Sequence, residues 1–180
     1  VVTANLVATQ PAAFDCARDF SPTSGDDFET RIFYAMADAA AWERFDHLVT
    51  QDGVTYFVGR IDDIRAPMVV RCDRTLIVKR PGPGTPGAGF YGNNRISAET
   101  TILSGWPAAL APGPRAEPTG ARLPGDAKAP WVKLLMSEAP AQILPGDILY
   151  DDLATPSRYI VSGAIYSPLG VEITAFQAMI

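Results

Sequence analysis

Asp46-His-Leu-Val-Thr-Gln-Asp-Gly-Val-Thr-Tyr-Phe-Val58 sets two short apolar runs on either side of an Asp-Gly pair. Asp-Gly supplies the positive φ of a tight turn, and strict alternation puts Leu48, Tyr56 and Val58 on one face. The stretch therefore predicts a β-hairpin with a buried side. The same grammar returns 101 residues later, where Asp147-Ile-Leu-Tyr150 is followed by Asp151-Asp152 and then Arg158-Tyr-Ile-Val161. Each unit is a D-x-L strand, a polar turn and a strand opening near Tyr. The Asp-to-Tyr spacing is ten residues in the first copy and twelve in the second, so the match requires two extra residues in the turn. Pro67 then precedes Met68-Val-Val70, and Pro168 precedes Leu169 and Val171. The pattern predicts a duplicated β unit. Different strand orders in the two copies would end that reading.

Around these hairpins lie further β-branched and aromatic runs. Arg31-Ile-Phe-Tyr-Ala35, Met68-Val-Val-Arg-Cys72 and Thr75-Leu-Ile-Val-Lys79 belong to the first flank; Ala164-Ile-Tyr166 and Val171-Glu-Ile-Thr-Ala-Phe176 belong to the second. Short strands with frequent turn residues read as small barrels or sandwiches. The flanks are separated by a segment with a distinct composition. Of the 15 Gly and 16 Pro in the 180 residues, nine of each fall between Pro81 and Pro130. Two tryptophans and Val132-Lys-Leu-Leu-Met136 in and beside that segment predict one or two strands among the loops. The expected fold is all-β with a minor helix at Ala37 to Phe45. It comprises a first β module with an N-terminal arm at residues 1–80, a Pro/Gly-rich, partly ordered arm at 81–130, and a second module at 131–180. The arm is expected to lie folded over the core or to reach a neighbouring subunit, with contacts between subunits favoured.

A hydrophobic content of 47% and a charged content of 19% exclude a chain disordered throughout. A net charge of -5 argues against a phosphate-backbone binder. No run approaches the ~18 apolar residues of a membrane span, so no membrane partner is expected. Val1 to Ala8 lacks the basic start of a signal peptide. Cys16 and Cys72 are too few for a disulfide framework and are expected to stay reduced.

Gly82-Pro-Gly-Thr-Pro-Gly87 has the form G-x-G-x-x-G, but its prolines remove phosphate-binding N–H donors and no helix start follows; it reads as a loop. His47 is the single histidine. A catalytic role would pair it with Cys16, whereas its position in the repeat, matching Ile148, favours a strand residue without chemistry. One histidine and two distant cysteines do not make a four-ligand zinc site. The pairs Asp26-Asp27, Asp62-Asp63 and Asp151-Asp152 lack calcium-loop spacing and sit in turns, where Asp bonds its own backbone. No catalytic residue, metal ligand or cofactor site is expected.

Arg31-Ile-Phe-Tyr34, His47-Leu-Val49, Gly53-Val-Thr-Tyr-Phe-Val58, Ala66-Pro67, Arg71-Cys-Asp-Arg74 and Val78-Lys-Arg-Pro81 together resemble structural proteins of tailed bacteriophages and prophages. Leu103-Ser-Gly-Trp-Pro107, Leu123-Pro-Gly-Asp126, Pro130-Trp131 and the run from Gly146 to Gln177 are similar to the same group, so the resemblance covers residues 28–180. The G-D-x-L…Y-x-V element also resembles the small barrels of head–tail joining (stopper) proteins. Those hold one barrel, whereas two modules are expected here. The resemblance implies a non-enzymatic virion protein, made in the host bacterial cytoplasm. It would form a ring with other copies of itself at the neck or proximal tail, against portal, adaptor or tail proteins. DNA would pass through a lumen that negative charge keeps from sticking. Two other classes compete: a carbohydrate-binding module using Trp42, Trp106 or Trp131, and a glycan hydrolase acting through acids such as Asp62 or Asp151.

Overall fold

A computed structural model of the chain describes residues 9–16, 31–37, 42–82, 99–113 and 131–178. Among these residues eleven strands are formed: β1 (Ala13–Cys16), β2 (Ile32–Met36), β3 (His47–Val49), β4 (Thr55–Arg60), β5 (Met68–Cys72), β6 (Arg74–Pro81), β7 (Glu99–Pro112), β8 (Trp131–Met136), β9 (Ile148–Tyr150), β10 (Arg158–Ser167) and β11 (Gly170–Gln177). The first five make an open sheet in the order β1-β2-β5-β4-β3, and the other six close into a barrel in the order β10-β11-β8-β7-β6-β9. The chain is thus all-β with two barrel-like modules, and among the described residues there is no α-helix. Of the expected helix at 37–45, Ala37 and residues 42–45 are turn and coil, and 38–41 lie outside the described residues. Phe45 stands at φ 75°, a left-handed conformation that no helix continues through.

The boundaries differ from the expected 1–80, 81–130 and 131–180. A single residue, Asp73, separates β5 of the open sheet from β6 of the barrel. Residues 99–112 of the expected arm are β7, paired to β6 along one half and to β8 along the other. Gly105, at φ 72°, and Ile102 are the two extra residues on β7 in the β6–β7 ladder. Such bulges bend a strand; pairing with β6 continues through them to Ala108, where pairing with β8 begins. Glycine and proline mark bends inside the barrel there, not a divide between modules. Residues 83–98 and 114–130 of the arm lie outside the described residues.

The modules repeat each other strand for strand. His47↔Phe57, Leu48↔Tyr56 and Val49↔Thr55 match Ile148↔Ile160, Leu149↔Tyr159 and Tyr150↔Arg158. The β4–β5 ladder has a bulge after Val58, and the β10–β11 ladder has one after Val161. On the far side, Phe14↔Ala35 matches Leu110↔Leu134. Strands β1 to β5 therefore correspond in order to β7, β8, β9, β10 and β11. The turn before each hairpin is also shared: Phe45 N–H to Val58 O (2.7 Å) and Val58 N–H to Asp46 O (2.9 Å) match Gly146 N–H to Val161 O (2.8 Å) and Val161 N–H to Asp147 O (2.9 Å). The two prolines that suggested a further match do not correspond. Pro67 directly precedes β5, whereas Pro168 lies in the β10–β11 turn.

The barrel interior holds Leu76, Val78, Leu134, Leu149 and Ile173, all fully buried. Burying each side chain of this kind contributes about 1.5–3 kcal/mol. β10 alternates buried with half-buried or exposed residues along its first half, as a strand with one solvated face does. β4 does not alternate: Tyr56, Phe57, Val58 and Gly59 are all buried. One face of the open sheet presses Phe57, Val70 and Cys72 against Ala109, Ala111 and Leu135 on the outside of the barrel, where small alanines permit close approach. Its other face gathers Tyr56, Val58 and Val69 with Phe14, Phe33, Trp42 and Leu48.

Candidate assembly surface

Three features hold the open sheet to the barrel. Asp73 accepts the Leu110 N–H at 2.8 Å and an Arg31 ion pair at 2.7 Å, which pins the crossing point. His47 Nε2 lies 3.0 Å from Ser137 Oγ, and its ring meets Trp106 edge-on at 5.5 Å. Trp106 in turn donates its indole N–H to Ser137 O at 3.3 Å. At Gly170 no Cβ fits: it would run into the Met136 carbonyl oxygen and come within 3.4 Å of the Phe57 ring.

The His47–Ser137 pair is the geometry of a base beside a nucleophile, but Ser137 is fully buried and no substrate reaches its hydroxyl. Burial also lowers the His47 pKa, against an opposing pull from Asp46. The pair works as a latch between modules. His47 reads as the strand residue that its match to Ile148 implied, with a polar partner that its sequence context did not disclose. Cys72 is buried, and burial together with the Asp73 charge pushes its thiol up to about 12, so at neutral pH it is a packed, unreactive group. The side chain of Cys16 lies outside the described residues.

The acid pairs do not converge. Asp62 pairs with Arg60 at 2.7 Å, while Asp63 is exposed. Asp151 is buried and accepts the Ser157 N–H at 2.8 Å and the Tyr159 hydroxyl at 3.1 Å, and Asp152 is exposed. Asp26 and Asp27 lie outside the described residues, as do positions 83–87 of the glycine-rich loop. Among the described residues no cluster of His, Cys, Asp and Glu is arranged for a metal ion, and no helix is long and apolar enough to cross a membrane. The tryptophans are dispersed as well. Trp42 packs on the inner face of the open sheet, Trp106 sits at the latch, and Trp131 lies against Phe176 at 5.5 Å. They form no common platform for a sugar.

What sets one surface apart is the contrast between the modules. In the barrel, β6 bridges β7 and β9 and adds Leu76 and Val78 to the core. Its Arg80 grips Asp147 through both carboxylate oxygens, at 2.9 and 2.8 Å. At the seam Glu99 accepts Arg158 and the Tyr150 hydroxyl, both at 3.1 Å. Among the described residues the open sheet has no strand in the place of β6. Asp46, the counterpart of Asp147, bonds the Glu43 N–H at 2.8 Å and meets no cation among the described residues. Among the described residues β1 and β3 are the edges of that sheet, with Val49 66% exposed. The sequence signal for this is visible in retrospect: Pro11-Ala-Ala-Phe14 leads into β1 as Pro107-Ala-Ala-Leu110 runs through β7.

No protein family, curated protein or solved structure matches the chain.

Proposed function

We propose that the protein is a non-enzymatic structural component of a tailed-phage virion, arranged with copies of itself as a ring at the head–tail neck or the proximal tail. One observation carries the assembly part of this reading: among the described residues, an open sheet has two unpaired edges beside an apolar face, in a chain whose second module closes the same sheet. Unpaired edges invite another strand, and monomeric proteins normally blunt or cover them. The resemblance across residues 28–180 supports the virion part. The net charge of -5 suits a lumen through which DNA slides without adhering. Portal, adaptor or tail proteins are the neighbours this reading implies.

Antibody labelling of purified virions tests it. Gold at the neck or upper tail, with the chain present in fixed ratio to the portal by quantitative mass spectrometry, is the expected result. Virions that lack the chain would overturn it.

A further inference from the structure

The two modules meet through different faces of one repeated structure. The open sheet brings Ile32, Phe57 and Val70 to the junction, and the barrel brings Ala109, Ala111 and Leu135. All six are buried. The two patches lie at different places in the repeat, so the contact is heterologous and each module also carries the counterpart of its neighbour's patch. The ladders identify these counterparts. Phe57↔Val70 and Ile32↔Val70 match Ile160↔Phe176 and Trp131↔Phe176, which gives the barrel Trp131, Ile160 and Phe176. Ala13↔Met36 and Asp15↔Tyr34 match Ala109↔Leu135 and Ala111↔Lys133, which gives the open sheet Ala13, Asp15 and Met36.

Five of these six are apolar, yet none is buried. Trp131 is 37% and Met36 57% exposed, Ala13 is exposed, and Ile160 and Phe176 are half-buried. Val132, Tyr159, Val161 and Ala175, the alternate residues of the same strands, fill the barrel core, so Trp131, Ile160 and Phe176 face outward. Apolar side chains grouped on an outer face mark an interaction surface.

We propose that the barrel of one copy docks through Trp131, Ile160 and Phe176 onto Ala13 and Met36 of the next copy, repeating between chains the contact that joins the modules within one. This contact supplies surfaces for the self-assembly proposed above, on which it rests; it lies on the outer faces of the sheets and needs no virion identity. The occupant is a second copy because the internal junction already shows the mate of each patch, a bulky apolar face against a face of small residues. Ala13 keeps the small side chain of Ala109, and Met36 takes the place of Leu135 with a side chain that adapts to its partner. Asp15 puts a charge where Ala111 stands, so the contact between copies is weaker than the internal one and forms with rising concentration. Repeated head to tail, it closes into a ring where the rotation permits.

Sedimentation velocity of the full chain over a range of concentrations tests this, beside Met36→Asp and Trp131→Asp, each checked for folding by its thermal transition. The wild type is expected to associate, and each variant alone to do so at least about tenfold more weakly, because a charge enters an apolar contact. Each variant spoils one patch and keeps the other, so an equimolar mixture should recover association and stop at a one-to-one dimer. A monomeric wild type, variants that associate as the wild type does, or folded variants whose mixture stays monomeric would overturn the contact. If Trp131→Asp does not fold, cross-linking decides. Ala178, just past β11, is the counterpart of Cys72. In a Cys16→Ser background, Ala13→Cys and Ala178→Cys proteins should be joined by a short bis-maleimide into a mixed dimer, and its absence would overturn the contact. Variants that associate equally would leave self-assembly standing through other surfaces, and virions without the chain would leave this contact standing.

Discussion

Phe45 and Gly146 occupy the same turn position in the two modules, at φ 75° and φ 90°, and each donates its N–H to the valine that opens a bulge. Only one of them is the residue that this conformation favours. The first turn holds Phe45 there by stacking Arg44 over its ring at 4.3 Å and packing it against the apolar junction with the barrel.

At Gly146 a Cβ would meet nothing within 4 Å, so Gly146→Ala reports the backbone conformation alone. It should cost about 1–2 kcal/mol in urea unfolding. A neutral result would mean that the turn relaxes to negative φ.

Gly170→Ala and Gly163→Ala form a contrasting pair on neighbouring strands. A Cβ at Gly170 runs into the Met136 carbonyl, while one at Gly163 has open space. Gly163→Ala should stay within about 0.5 kcal/mol of wild type. Gly170→Ala should lose several times that, with the near-ultraviolet signal of the barrel altered. Equal stabilities would show that β11 is not held against β8 as described.

The latch predicts a pH dependence. Its imidazole is neutral in the fold, with a pKa below the ordinary 6.5, so the unfolded chain takes up the proton first. Stability contributed by the neutral form is complete above that value and falls as pH drops through it towards the folded pKa. His47→Gln should flatten this part of the profile, which one histidine in the chain makes easy to assign. Ser137→Ala should cost about 1–3 kcal/mol, because it leaves a ring nitrogen without its partner. Thermal unfolding across pH checks both.

In a Cys16→Ser background, Cys72 should resist maleimide at pH 7 and react in step with denaturant unfolding. Its thiol is pushed up to about 12 inside a packed junction. Rapid native labelling would mean that the two modules separate.

Much of the β structure was readable. Met68–Cys72 was expected as a strand and is β5, and the hairpins at Asp46 and Asp147 align with the same register. Asp-Gly, alternation and β-branched runs act locally, so local sequence reports them. The module boundary was not readable, because Asp73 is an unremarkable residue in composition and the barrel's closure depends on pairings between residues as distant as Lys79 and Ile148. The expected helix gives way at Ala37 and at 42–45: helix propensity yields where a turn must place Phe45 against another module. The latch was half legible. The repeat placed His47 in a strand, but nothing near it in the chain pointed to Ser137, 90 residues on. Asymmetry between the repeats became visible only once β6 was seen in the barrel.

Asp73 also determines how the chain bears load. Tension applied through the N-terminal end reaches β1 first, and β1 is held by four residue pairs on one neighbour. Beyond Asp73 the pull meets β6, which is gripped by eight pairs with β7 and three with β9. A weak element and a strong one are thus mounted in series. Under force the open sheet peels while the barrel holds, and a single-molecule extension trace should show two steps of unequal height.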